Sequence, residues 1–369
     1  MKTEHNKIED ILITLLKMAL QQSAYDNISW KSVSDKEWKM CYDLAVKHGV
    51  MAIAFDGIQL LDQSLQPSRS IRLSWALAVQ KYEERYERYC RTAYDLSSFY
   101  SDNGIAMLQI KGVGLSSYYP VPAHREGGDI DIYTFSKDRS KLSDQEANSL
   151  ADKLMEEKGI YVERANRKHS NFSFRNISIE NHKTFIDIGT NQSAEPMNEL
   201  LLEILNPQPT SLCDGQYQIL TPSPEFNALF LAFHAGQHFC SGLRLHHLFD
   251  YACMLKKFGL PLSDKVTDRK LLRFIHAMTA LCNRLFGTEV KVPENTEMTD
   301  EVYEQIMHPL FSGNAPSNKF GIFLYKGGRM LYSHYKQSKI FSRSLWKVFW
   351  NSVIFHIKNP STIFFVSSK

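Results

Sequence analysis

The run Gly127-Gly128-Asp129-Ile130-Asp131-Ile132 constrains this chain more than any other stretch. A glycine pair interrupts whatever precedes it, and the alternation that follows predicts a β-strand over residues 129–135. Alternate side chains on a strand share a face, so Asp129 and Asp131 point the same way, about 6.6 Å apart along the backbone. Carboxylates held that close repel one another unless a cation joins them, and hard divalent ions favour such oxygen donors. In a solvated loop the same Asp-x-Asp pattern would be surface polarity only; Ile130 and Ile132 argue for the strand.

The flanking sequence fits this reading. Ile105 to Ile110 predicts a strand, Lys111-Gly112 a turn, and Val113 to Tyr119 a helix. Glycine at a strand-to-helix turn lets the backbone approach a phosphate, and the helix start offers N–H donors. Lys111 and Arg125 would add cationic contacts. A polar helix over about 144–158 closes at Gly159. A hairpin is expected next: Asn171 to Ile179 alternates, Glu180-Asn181-His182-Lys183 turns, and Thr184 to Gly189 returns with one acid, Asp187. Beside the first strand, Asp187 would be a third carboxylate. Three carboxylates around one or two Mg²⁺ suit in-line attack on a nucleotide phosphate. Close together without metal, they would raise one another's pKa.

The element order fits an α+β fold, a small mixed sheet with helices on one face. Residues 6–100 read as helical, with Ile8, Ile11, Leu12, Leu15 and Leu16 at helical spacing. From about residue 196 the chain reads as helical again, and Ser223-Pro224 marks a helix start. The expected division is 1–100, an N-terminal helical part; 101–192, the sheet-bearing core; 193–304, a second helical part; and 305–369, a basic aromatic tail.

Several of these residues carry a family likeness. Leu108-Gln109-Ile110-Lys111-Gly112, Tyr118-Tyr119-Pro120, Arg125 and Gly128-Asp129-Ile130-Asp131-Ile132 resemble the uncharacterised bacterial nucleotidyltransferase-like family of the polymerase beta superfamily. The resemblance extends to Lys168-His169-Ser170, Ile186-Asp187-Ile188 and His234 through Asp250, covering roughly 40–255. It implies a minimal nucleotidyltransferase core flanked by helical parts. It also implies an enzyme that uses Mg²⁺ or Mn²⁺ to move a nucleoside monophosphate from an NTP to an unknown acceptor, whether small molecule, protein or RNA. By that likeness Asp129, Asp131 and Asp187 are the catalytic metal ligands, and Lys111 and Gly112 seat the phosphates, with Arg125 beside them. Where the superfamily commonly has Gly-Ser or Gly-Gly, this chain has Lys111-Gly112-Val113, which moves the nearest hydroxyl to Ser116. A catalytically inactive nucleotide- or partner-binding module of the same fold is the alternative.

The segment after Phe226 competes for attention. His234 and His238 are spaced i, i+4 and share a helix face, with Arg244, His246, His247 and Asp250 following. Such histidines simply pack a helix, or line a substrate cleft with Arg244 and His169, or bind a transition metal as in a histidine-metal phosphohydrolase.

The tail from 305 to 369 holds nine Lys or Arg and no Asp or Glu, leaving 34 basic against 40 acidic residues elsewhere. Docking of its aromatics on the acidic body is expected, ahead of contact with an anionic membrane surface or nucleic acid. The six cysteines are widely spaced, with no Cys-x-x-Cys. They predict reduced thiols in a cytoplasmic protein, as does a polar N-terminus without the apolar core of a signal peptide.

Overall fold

The structure, a computed structural model, describes residues 2–25, 28–186, 194–239, 242–293, 296–310, 318–342, 350 and 353–354. Caps fix many of its helix ends. After α1 (Lys2–Gln21), α2 (Asp35–Lys47) opens on a capping box, in which the Ser34 amide donates to Glu37 at 2.7 Å and the Ser34 hydroxyl accepts from the Glu37 amide. Gly49, at φ +68°, follows its end, and a Cβ there would collide with the Glu126 carboxylate. α3 (Met51–Gln59) and the long α4 (Arg69–Asp102) complete the N-terminal helices.

Seven strands then form one mixed sheet among the described residues: β1 (Ile105–Gln109), β2 (Ile130–Ser136), β3 (Val162–Glu163), β4 (His169–Phe174), β5 (Ile177–His182), β6 (Gln208–Leu212) and β7 (Tyr217–Thr221). Their order is β3-β4-β5-β2-β1-β7-β6, which puts β2 in the middle, antiparallel to β1 and parallel to β5. The short α5 (Val113–Ser116) follows β1, and α6 (Asp144–Glu157) starts on a second capping box, Ser143 with Glu146.

The two-residue period of the strands divides the core. Ile105 and Met107 of β1, Ile130 and Ile132 of β2, and Ile177 and Ile179 of β5 pack with Cys90, Ala93 and Leu96 of α4 and Ala147, Ala151 and Met155 of α6. The opposite parity, with Leu108 and Tyr133, joins a larger core built by α1, α3 and the C-terminal helices. Those are α7 (Glu195–Glu203), α8 (Pro224–His238), α9 (Leu245–Phe258), α10 (Arg269–Phe286), α11 (Thr296–Met307) and α12 (Lys319–Ile340). The architecture is therefore α+β, a mixed sheet flanked by helices.

Two local expectations are corrected. The hairpin turns at Arg175-Asn176, at φ +53° and +59°, five residues before the expected start at Glu180. A two-residue turn with both residues left-handed matches the twist of its strands, and asparagine tolerates that conformation. Glu180 to His182 thus belong to β5 instead of a turn. The stretch after 196 is also not wholly helical. β6 and β7 pair through a turn at Cys213-Asp214-Gly215, all at positive φ, and β7 joins the sheet beside β1.

The described part of the tail rests on the body. Ile340 and Phe341 are buried, the Phe341 and Phe233 rings lie 4.8 Å apart, and Lys336 and Lys339 pair with Glu301 of α11. Residues 311–317, 343–349, 351–352 and 355–369 of the tail lie outside the described residues.

Candidate active site

Strand β2 carries Asp131 on the face away from α4 and α6, with Asp129 just before its first residue. The parallel register with β5 sets Asp131 opposite Glu180 and Tyr133 opposite His182. In parallel pairing, opposed residues share a face, so Glu180 and His182 stand beside the acids of β2. The Asp131 carboxylate is buried; Oδ1 accepts from His182 Nε2 at 3.0 Å and lies 3.1 Å from Lys111 Nζ. Glu180 Oε2 is 3.4 Å from His182 Nε2 and 3.6 Å from His169 Nε2. One ligand-capable atom from each of Asp131, Glu180 and His182 falls within 4.8 Å of the others. Asp129 is exposed, close enough to Asp131 and Glu180 for their charges to act on it.

The carboxylates do not simply raise one another. Partial desolvation against the cavity wall, then the charges of Asp131 and Glu180, push Asp129 above the usual carboxylate range, although its side chain still meets solvent. Burial would do the same to Asp131, but Lys111 and His182 outweigh it and hold that carboxyl well below its ordinary value. The hydrogen bond from His182 likewise lowers Glu180 against the effect of burial.

Asp187 lies outside the described residues. Glu180 escapes the sequence reading because four polar residues, Glu180 to Lys183, look like a turn. The signal that would find it is the continued alternation Ile177, Ile179 against Ser178, Glu180, His182. On the opposite face a buried polar network pins β5 in register. Asn181 accepts from Thr134 at 3.0 Å and from Asn148 at 2.9 Å, and donates to Asp152 at 2.9 Å.

Gly112 ends the β1 turn at φ +64° and ψ −130°, where a Cβ would sit 3.3 Å from the Asp129 carbonyl oxygen. Gln109, fully buried, staples this turn to β2. Its Nε2 donates to the carbonyls of Lys111 and Asp131 at 2.8 and 3.1 Å. Ser116 is buried, and its hydroxyl donates to the Val113 carbonyl at 2.5 Å. It faces a narrow crevice with Tyr82, Tyr86 and Tyr89. Arg125 holds Asp250 with two hydrogen bonds and the Glu126 carbonyl with a third. The Tyr89 hydroxyl donates to the Gly128 carbonyl, so the approach to Asp129 is tied at both ends.

A cavity of about 310 Å³ opens over the carboxylates. Lys111, Gly112, Arg125, Asp129 and Asp131 line it from the sheet side. From α8 come His234 and His238, from α9 His246 and His247, and from the residue before α9 Arg244. His247 joins His234 and His238 because the chain reverses between α8 and α9, an approach that linear spacing does not reveal. Burial holds His234 and His247 well below the usual histidine range, so both rings are neutral at pH 7. His169 stands apart from the cavity lining, its ring 5.3 Å from that of His182.

With this geometry in place, comparison with known proteins is decisive at one point. The model of a family described as uncharacterised nucleotidyltransferase matches residues 34–287, well over half of the chain. The chain belongs to that family. The matched span runs from α2 to the end of α10 and includes the acids, the Gly112 turn and the histidines. Membership in this nucleotidyltransferase family supports a general nucleotidyltransferase function and implies an NTP as substrate. Among curated proteins none matches. The chain is also similar to a solved structure, an antigenic nucleotidyltransferase-like protein from Paracoccidioides brasiliensis. The two share 12% identity over 59% of this chain and 93% of that one, with a TM-score of 0.37. No helix among the described residues is long and apolar enough to cross a membrane.

Proposed function

We propose that this protein transfers a nucleoside monophosphate from an NTP to an acceptor hydroxyl, with Asp129, Asp131 and Glu180 holding divalent cations. The observation that carries this reading is the register of β2 against β5, which sets Asp131 beside Glu180 with Asp129 within reach. These acids supply carboxylate oxygens, the donor class that suits Mg²⁺ or Mn²⁺. When bound, such ions neutralise charge that develops on the reacting phosphate.

The chain's own residues do the rest. The acceptor oxygen attacks the α-phosphorus as the bond to the β-phosphate oxygen breaks, so pyrophosphate leaves. The acceptor's proton passes to a carboxylate of the acidic group. Gly112 lets the triphosphate approach the backbone of the turn, where no side chain intrudes. Lys111 offers an ammonium to phosphate oxygens from the cavity wall, and Arg244 lies on the facing wall. Arg125, engaged with Asp250, shapes the cavity through that pair.

Pyrophosphate release from each of the four NTPs with Mg²⁺, alongside calorimetric titration of NTP, tests the proposal. Turnover should appear in the wild type, vanish in Glu180→Gln and persist in Asp187→Asn. NTP binding without turnover would leave a binding module. Loss in Asp187→Asn with activity kept in Glu180→Gln would move the third acid.

A further inference from the structure

We infer that His234, His238 and His247 form a second metal centre, for a late first-row divalent cation of the Zn²⁺ class, on the helical wall of the cavity. Sequence spacing alone pairs two of these residues; the fold supplies the third. His234 and His238 lie one turn apart on α8, and His247 enters from the first turns of α9. One ligand-capable nitrogen from each lies within 4.8 Å of the other two. The ring centroids are 4.6 Å apart for His234 and His238, 5.1 Å for His238 and His247, and 5.7 Å for His234 and His247.

The chemistry favours a borderline metal over Mg²⁺. Three imidazoles offer nitrogen and no carboxylate, which suits zinc and its neighbours, whereas magnesium selects oxygen. Metal ligation takes the neutral imidazole, so binding should release protons as the pH falls towards the histidine range. Three protein ligands leave a tetrahedral ion one further position, as in hydrolytic zinc sites, and here it would open to the cavity. The carboxylates of Asp129 and Asp131 line the same cavity and offset the added positive charge.

One bond must change. The Arg244 amide donates to His247 Nδ1 at 3.1 Å, which places the proton on Nε2. A metal on Nε2 requires the other tautomer, with Nδ1–H turned to a backbone carbonyl, the usual outer partner of a metal-bound histidine. A metal on Nδ1 displaces the amide instead. Either way, binding removes one capping bond from α9.

The test uses the full chain, stripped with chelator. Zn²⁺ content after gel filtration should approach one ion per chain in excess Mg²⁺, and Co²⁺ should give the intense visible bands of a tetrahedral site. Both signals should survive Asp131→Asn and Glu180→Gln. His238→Gln and His247→Gln should each weaken Zn²⁺ by at least about 100-fold, beyond the roughly 10–100-fold that an outer partner contributes. Circular dichroism in chelator identifies a variant that fails to fold. All three rings are only partly buried, so whichever of His238→Gln and His247→Gln folds carries the test. Absence of Zn²⁺ from the wild type would overturn the inference. So would Zn²⁺ lost in Asp131→Asn but kept in His238→Gln.

Discussion

Arg125 and Asp250 meet as a two-pronged pair, Nε on Oδ1 and Nη2 on Oδ2, each at 2.8 Å. Only 10% and 7% of their side chains are exposed, and the Tyr119 hydroxyl adds a third bond to Asp250 at 2.6 Å. Helix α9 thereby grips the loop that leads into Asp129. Removing Asp250 strands a buried guanidinium, a loss of about 3–5 kcal/mol for pairs of this kind. Urea unfolding of Asp250→Ala should show a decrease of that size. A decrease under about 1 kcal/mol would mean that water enters to replace the partner.

Asp129 and Asp131 should respond oppositely to the same substitution. Asp131 is stabilised as an anion by Lys111 and His182, so Asp131→Asn should lower the metal-free melting temperature. Asp129 is burdened by two acidic neighbours, so Asp129→Asn should raise it. In the proposed reaction both should reduce turnover by about 10²–10³-fold, the scale of losing one electrostatic contact to the reacting group. Melting curves in chelator, with and without added Mg²⁺, separate the two effects. Equal shifts of one sign would contradict the assigned electrostatics.

Acid sensitivity should show a histidine component. His48 caps α2 and accepts the Leu245 amide on Nδ1 at 3.3 Å. Burial, then the charges of Lys47, Arg244 and His246, push its pKa from 6.5 down to about 4. A folded-state value below the unfolded one means the neutral ring stabilises the fold above about pH 6.5. That contribution is lost as pH falls from there towards about 4. Between about pH 7 and pH 5 it amounts to roughly 2 kcal/mol. Denaturant midpoints across this range should fall in the wild type and fall less in His48→Gln.

Among the described contacts of the tail, one ring can be tested by a single substitution. Phe341 is 2% exposed and packs on Phe233, and a Cβ on Gly236 would come within 2.8 Å of its Cζ. Phe341→Ala should cost about 3–5 kcal/mol, as for other fully buried phenylalanines. Thermal unfolding measures it, and truncation after Met307 should add exposed hydrophobic surface detectable by dye binding. A truncated chain that melts like the full one would place the tail's role elsewhere.

What the sequence discloses and what it withholds follow from the range of the forces. Asp129 and Asp131 are legible because strand alternation is local, and α10 (Arg269–Phe286) because an apolar stripe and the Gly287 stop are local. Glu180 is hidden because whether Glu180-Asn181-His182-Lys183 turns or pairs depends on a neighbouring strand. Polar residues are acceptable in β5 because Asn181 finds Thr134, Asn148 and Asp152 on one face, while Glu180 and His182 find Asp131 on the other. Strands β6 and β7 are missed for the same reason: Gln208 to Thr221 is too polar and too short to declare itself before β7 meets β1. Only the reversal between α8 and α9 brings His247 to His234 and His238.

Strand β2 has partners on both edges and is buried on both faces. Its amides should therefore be among the last in the molecule to exchange with deuterated solvent, since their release requires the sheet to come apart. The acid pair sits where the strand begins, and the Gly127-Gly128 loop before it should exchange freely. An isotope-exchange profile along residues 127–136 should rise as a step, and that step marks how rigidly Asp131 is held before any ligand arrives.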